Sequence, residues 1–375
     1  MAAPYGPGPG YGPAPGGPRP GGQRSRAVLA TVLVVVAVGL ASLPLALQLL
    51  NPAPRSGGPT AAPTVVPPTT TLVPTAAPSS SPPPANPSPA DRAVVAVGSE
   101  PVDVAVDAAL GRAFVANSGD GTVSVVEIAT GQVVAVIPVG GRPMAVAVDP
   151  ALHRGYVADA DGGTVAVLDT GAGRVTGSVA VGSEPVALAV DSAARRLYVA
   201  NAGDDTVSVI DTTSDRAVGT VTVGHRPAGL ALDAAAGLVL VATIEDDAAS
   251  QVDVADLSVS PLPTGDGTSA VVVDPVSGLT AWAFPGTGEV SIVGDEVVSV
   301  PVGRAPNSLA VDSAAGRLFV ANTLDDTVSV IDLASGAALA TVEVGDGPTA
   351  VAVDPVTRRL FVANSNENSV SIIEP

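Results

Sequence analysis

Residues 185–223 read PVALAVDSAARRLYVANAGDDTVSVIDTTSDRAVGTVTV, and this stretch decides the fold. Pro185 to Asp191 alternates and ends in a turn begun by Asp. Arg196 to Asn201 is a second run, Gly203-Asp204-Asp205 a tight loop, Thr206 to Asp211 a third run, and Arg216 to Val223 a fourth. β-Branched residues at period two, bounded by Gly, Asp and Pro, signal strands. The same Val, Thr and Gly content disfavours helix. Four such strands in sequence predict one small antiparallel sheet.

The pattern recurs on both sides. Asp191, which closes the first strand, has counterparts at Asp107, Asp149, Asp233, Asp274, Asp312 and Asp354, spaced 42, 42, 42, 41, 38 and 42 residues apart. A period near 42 built from short strands predicts an all-β, seven-bladed β-propeller over residues 93–375, one blade per repeat. The seventh repeat ends after its third strand, Ser369 to Ile373, while an extra strand, Ala93 to Val97, precedes the first. Pairing the two completes the last blade and removes an open edge. A ring closed in this way is expected to be monomeric.

Five repeats carry Phe114-Val-Ala-Asn, Tyr156-Val-Ala-Asp, Tyr198-Val-Ala-Asn, Phe319-Val-Ala-Asn and Phe361-Val-Ala-Asn, and forms of Asp-Thr-Val-Ser-Val-Ile-Asp follow. These resemble the Tyr-Val-Thr-Asn motif of the YVTN family of β-propeller repeats. Repeats four (Leu240-Val-Ala-Thr) and five (Ala281-Trp-Ala-Phe) depart from it. The resemblance implies a seven-bladed ring, often extracytoplasmic or at the cell surface, related in shape to lactonase-type propellers. It implies no single activity, because such a fold hosts many.

Ahead of the repeats lie three stretches of other composition. Residues 1–26 are mostly Gly, Pro, Ala and Tyr, too poor in core-forming residues to fold alone. Residues 27–50 carry no charge; as helix they would span about 36 Å, enough for a hydrocarbon core of roughly 30 Å. Arg19, Arg24 and Arg26 before this segment, against Arg55 just behind it, predict a single-pass signal anchor with its N-terminus inside and the propeller outside. A cleaved signal peptide, giving a secreted propeller, is the rival reading. Residues 51–92 form a Pro/Thr/Ser-rich linker that could reach about 130 Å as extended polyproline-like chain.

The whole chain has 17 basic and 36 acidic residues for a net charge of −19, and no cysteine. Twelve of the basic and 35 of the acidic residues fall after residue 92. Such a field repels phosphate backbones and argues against nucleic acid as partner. Without cysteine there is neither disulfide nor thiol chemistry.

Sites on a pseudo-symmetric ring arise where its symmetry breaks. The recurring Asp residues are therefore expected to cap turns. Candidates for ligand binding lie in the crossover loops that feed each first strand: Glu100, Arg142, Glu184, Arg226, Asp266, Arg304 and Asp346, with His225 beside Arg226. Their signs alternate around the ring, which suggests a polar mouth that grips a zwitterion, a peptide or an envelope protein. A belt of ion pairs between blades is the plainer alternative.

A second band of oxygen-bearing residues, including Asn117, Asp120, Asp159, Asp161, Asn201, Asp204, Asp205, Asp325 and Asn364, could hold Ca²⁺, though no complete loop motif is present and solvated turn residues are the plainer reading. No cofactor motif or catalytic triad appears, so binding is favoured over catalysis. His225 with a nearby acid could still serve as general base in a lactonase-like hydrolase or lyase. His153 falls on the opposite face. Blades four and five, with Gln251, Trp282, Phe284 and Glu289, form an irregular sector that reads either as drifted packing or as a ligand patch.

Overall fold

The computed structural model describes residues 92–265 and 267–374. Seven four-stranded antiparallel sheets follow one another along the chain. Their inner strands are Pro101–Asp107, Pro143–Asp149, Pro185–Asp191, Pro227–Asp233, Ala270–Val273, Pro306–Asp312 and Pro348–Val353. The protein is a seven-bladed β-propeller. The expected anchor at 27–50 and linker at 51–92 lie outside the described residues, apart from Arg92. Among the described residues no helix is long and apolar enough to cross a membrane.

Closure occurs as the sequence predicts, one residue earlier than expected. The strand Arg92–Ala96 pairs antiparallel with Ser369–Ile373, from Arg92 opposite Ile373 to Ala96 opposite Ser369. Val97 extends the ladder through its N–H to the Asn368 carbonyl.

Each sheet is buried on both faces, because period-two side chains point alternately at the two neighbouring blades. In blade one, Phe114 packs against blade two with Val146, Val157 and Leu168. The adjacent Val115 turns the other way and packs against Phe361 and Ile372 of blade seven. Seven such apolar clusters sit one between each pair of consecutive blades. Arginines at the start of second strands add polar latches: Arg112 reaches the Thr170 carbonyl (3.2 Å), Arg154 that of Thr212 (2.7 Å) and Arg359 that of Ile128 (2.7 Å), each in the following blade.

One contact explains three recurring motifs. Asn201 is fully buried and donates to Thr206 Oγ1 (3.0 Å) and Ser208 Oγ (2.9 Å), while its oxygen accepts from the Gly182 N–H (3.2 Å). A Cβ on Gly182 would stand 2.7 Å from Asn201 Cγ, so only glycine fits above the amide. Asn322 repeats the arrangement with Thr327, Ser329 and Gly303. Asn117 and Asn364 make the same two donations. Val-Gly, Val-Ala-Asn and Thr-Val-Ser are thus parts of one clamp that ties the second and third strands to the crossover loop. Asn117, Asn201 and Asn364, grouped above with possible cation ligands, are buried there and donate their amide N–H groups inside it.

The irregular sector proves to be compensated packing. In blade five the aromatic position holds Ala281, and Trp282 occupies the next one, so the indole faces blade four. There it meets Leu240, the smaller residue that stands where other blades carry Phe or Tyr. Trp282 is only 1% exposed, Phe284 is buried beside it, and Gln251 donates to Ser260 Oγ within its own sheet. Trp282 and Phe284 are therefore core residues, and neither is available to a ligand.

Candidate functional site

Antiparallel pairing places two loop sets on one face: the crossover loops and the loops joining second to third strands. Carboxylates of the second set hold the backbone of the first. Ser99 N–H donates to Asp120 (3.0 Å), Ser183 N–H to Asp204 (2.6 Å), Arg304 N–H to Asp325 (2.7 Å), and His225 N–H to Asp246. A further residue with positive φ in that loop binds the crossover chain that is leaving the same blade. Asp205 (φ 56°) accepts from the Arg226 N–H, Asp326 (φ 55°) from Gly347 and Asn368 (φ 54°) from Glu100. Many oxygens of the acidic band thus receive backbone donors. The turn-closing Asp residues likewise accept from N–H groups two or three residues on, as in Asp107 with Leu110 and Asp354 with Val356 and Thr357.

The three candidate arginines are fixed within their own blades and form no belt of ion pairs between blades, the plainer alternative. Arg142 Nε lies 3.0 Å from Asp161, Arg226 Nε 3.4 Å from Glu245, and Arg304 Nε 2.6 Å from Asp325. The reason is geometric: each arginine leaves a crossover loop directly above its own second-to-third loop. Asp346 accepts from the Asn366 amide (2.8 Å) in blade seven, and Glu100 stands beside Ser118 Oγ (3.5 Å) in blade one. Glu184 has positive φ, as do Glu100 and Arg226. Asp266 lies outside the described residues. All these arginines are substantially exposed, so each pair contributes about 1 kcal/mol or less.

His225 makes the charged side-chain contact that links one blade to the next crossover loop. Its Nδ1 lies 2.8 Å from Asp205 Oδ2, and its side chain is 69% exposed. Asp205 holds the imidazolium above the ordinary histidine range, helped by Asp246. The Arg226 N–H, then the His225 ring, hold Asp205 below the usual carboxylate range. The His225 contribution to stability is full below the ordinary histidine pKa and is lost as pH rises through the raised value. That of Asp205 is present above the ordinary carboxylate pKa and is lost as pH falls through the depressed one. In an NMR titration, Asp205→Asn should lower the His225 midpoint, leaving only the smaller upward push of Asp246 and Glu245; an unchanged midpoint would show that Asp205 does not set it.

The second strand of sites lies down the axis. A central channel of about 250 Å³ is lined by inner strands of all seven blades, mostly by Val, Ala, Leu and Gly. Its one ionisable lining residue is Asp103, which sequence reasoning missed. The signal was present: Asp103 stands opposite Ala116, a register position filled elsewhere by Ala145, Ala187, Gly229, Ala270, Ser308 and Ala350. A cavity of about 280 Å³ also lies at the seam of blades seven and one. Its Arg92 and Arg359 already donate to the Val344 and Ile128 carbonyls. All seven propeller aromatics are buried, so none of the described residues offers a stacking platform for sugars or bases.

No family model matches the chain, and no curated protein sequence does. Among solved structures, a chain of Kuenenia stuttgartiensis hydrazine synthase is similar, with TM-score 0.66 and 19% identity over 74% of this chain and 96% of that one. At that identity the likeness shows the propeller fold alone.

Proposed function

We propose that this protein is a YVTN-type propeller held outside the cell membrane by residues 27–50, and that its crossover-loop face binds an envelope protein, a peptide or a small ligand. The observation that carries the reading is the set of three arginines, Arg142, Arg226 and Arg304, each braced by an acid of its own blade on a single face. Bracing through Nε pre-orients a guanidinium and leaves further N–H donors for a carboxylate or a main-chain carbonyl. Glu100, Glu184 and Asp346 between them suit the opposite charge on the same partner. The membrane anchor and its topology rest on the sequence of residues 19–55.

Changing Arg142, Arg226 and Arg304 together to Ala is expected to abolish capture of a specific envelope component by the purified protein, with a loss of thermal stability equivalent to a few kcal/mol at most. Equal capture by the triple variant would sink the reading.

The His225–Asp205 pair favours one second reading. A carboxylate at Nδ1 raises the basicity of the ring and leaves Nε2 for proton abstraction, which would suit a lactonase-like hydrolase. Lactone hydrolysis by the protein that disappears in His225→Ala would establish it.

A further inference from the structure

Asp103 sits on the inner strand of blade one and bridges to blade two. Its Oδ2 accepts from the Val146 N–H (2.8 Å) and its Oδ1 from the Val104 N–H (2.9 Å). Ser308, at the equivalent position of blade six, makes the same bridge with a neutral hydroxyl, accepting from the Val351 N–H of blade seven (3.1 Å). The bridge therefore needs an acceptor and no charge. Four of the other equivalent positions are Ala and one is Gly, so the ring closes without any bridge there.

A carboxylate where a hydroxyl suffices is costly, because a partly desolvated charge is destabilised. Burial pushes the Asp103 carboxyl up to about 7, against the two backbone donors that lower it. No basic side chain contributes to that balance. The walls packed against it bring Met144 and Ala145 from blade two and Thr349 and Ala350 from blade seven, none of them ionisable. The nearest blade-two cation, Arg142, is turned to Asp161 and Met144. Asp103 is half-buried as a residue and lines the channel.

The rest of the channel is divided. Asn307, Ser308 and Thr349 lie beside Asp103, while blades three and four border the channel with Val186, Leu188 and Leu230, and both leucines also pack into the clusters between blades. We propose that the channel binds a small organic cation, a protonated amine with a short aliphatic body, whose ammonium group pairs with Asp103 while its short carbon chain lies along the channel. At about 250 Å³ the space falls below the roughly 300–1,000 Å³ of drug-sized sites, so the ligand has only a few heavy atoms. The acidic surface above raises the local concentration of cations. This site is independent of the mouth arginines.

Isothermal titration of the full-length protein at pH 8 with n-butylammonium is the test, with butyrate, n-butanol and K⁺ as controls. Saturable binding of n-butylammonium is expected, at least tenfold weaker in Asp103→Ser and in the isosteric Asp103→Asn, and weaker again in wild type below pH 6. Asp103→Ser should keep its melting temperature, since Ser308 already makes that bridge. Absence of saturable binding, equal binding by both variants, or equal affinity for K⁺ or n-butanol would overturn the proposal. The Arg142/Arg226/Arg304→Ala protein should bind the amine at least as tightly, so failure of the mouth as a recognition face leaves this result standing.

Discussion

A chain that begins at Gly98 is expected to be at least about 5 kcal/mol less stable than one that begins at Asp91, and to aggregate. The difference between them is the closing strand. Arg92–Ala96 forms five residue pairs with Ser369–Ile373, and Val97 adds a further bond to Asn368; net contributions of about 1 kcal/mol per hydrogen bond sum to this figure. Val95 and Val97 also cover the cluster around Phe361 and Ile372. A domain stability of about 5–15 kcal/mol has little room for such a loss. All five residues of Ser369–Ile373 are buried, so the shortened chain presents an unpaired apolar edge to its copies. Urea midpoints and light scattering measure both effects, and addition of a peptide spanning residues 91–97 should reverse them. Matching midpoints for the two chains would show that the ring does not depend on its N-terminal closure.

Trp282→Ala should destabilise the propeller by about 4 kcal/mol, the usual range for deletion of a fully buried aromatic. The indole lies between Leu240, Ala242, Val271 and Phe284 at the junction of blades four and five, and its N–H donates to Thr280 Oγ1 (3.0 Å). Leu240 already provides less volume there than the Tyr or Phe of other blades. The smaller Leu240 therefore leaves much of the hole unfilled. Trp282→Phe should cost less than half as much. A denaturation midpoint unchanged by the Ala substitution would show that the junction of blades four and five does not depend on the indole.

Much of the molecule was legible in the chain because the repeat supplies seven readings of one pattern. The strand run Pro185–Asp191, Arg196–Asn201 and Thr206–Asp211 has the bounds its alternation and turn residues indicate. Composition cannot say which of two neighbours a side chain will meet. Arg142 and Asp161 could be read equally as partners within a blade or across blades, and only the stacking of their loops makes them partners within one. Asn201 was visible as a repeated residue, yet its clamp on Gly182 appears once three distant segments are brought to one point. Trp282 stood out as the single tryptophan, and its one-place offset from the aromatic column turns it toward blade four instead of blade six.

Sequence alone determined seven sheets, their order and the borrowing of the final strand, because hydrophobic period, turn chemistry and repeat length are local properties written along the chain. The tertiary structure alone decided which charges are spent on backbone N–H groups, which are paired, and that Asp103 stands without a cation in the axial channel. Those outcomes depend on distances between residues far apart along the chain, and such distances exist only once the loops have stacked and the ring has closed.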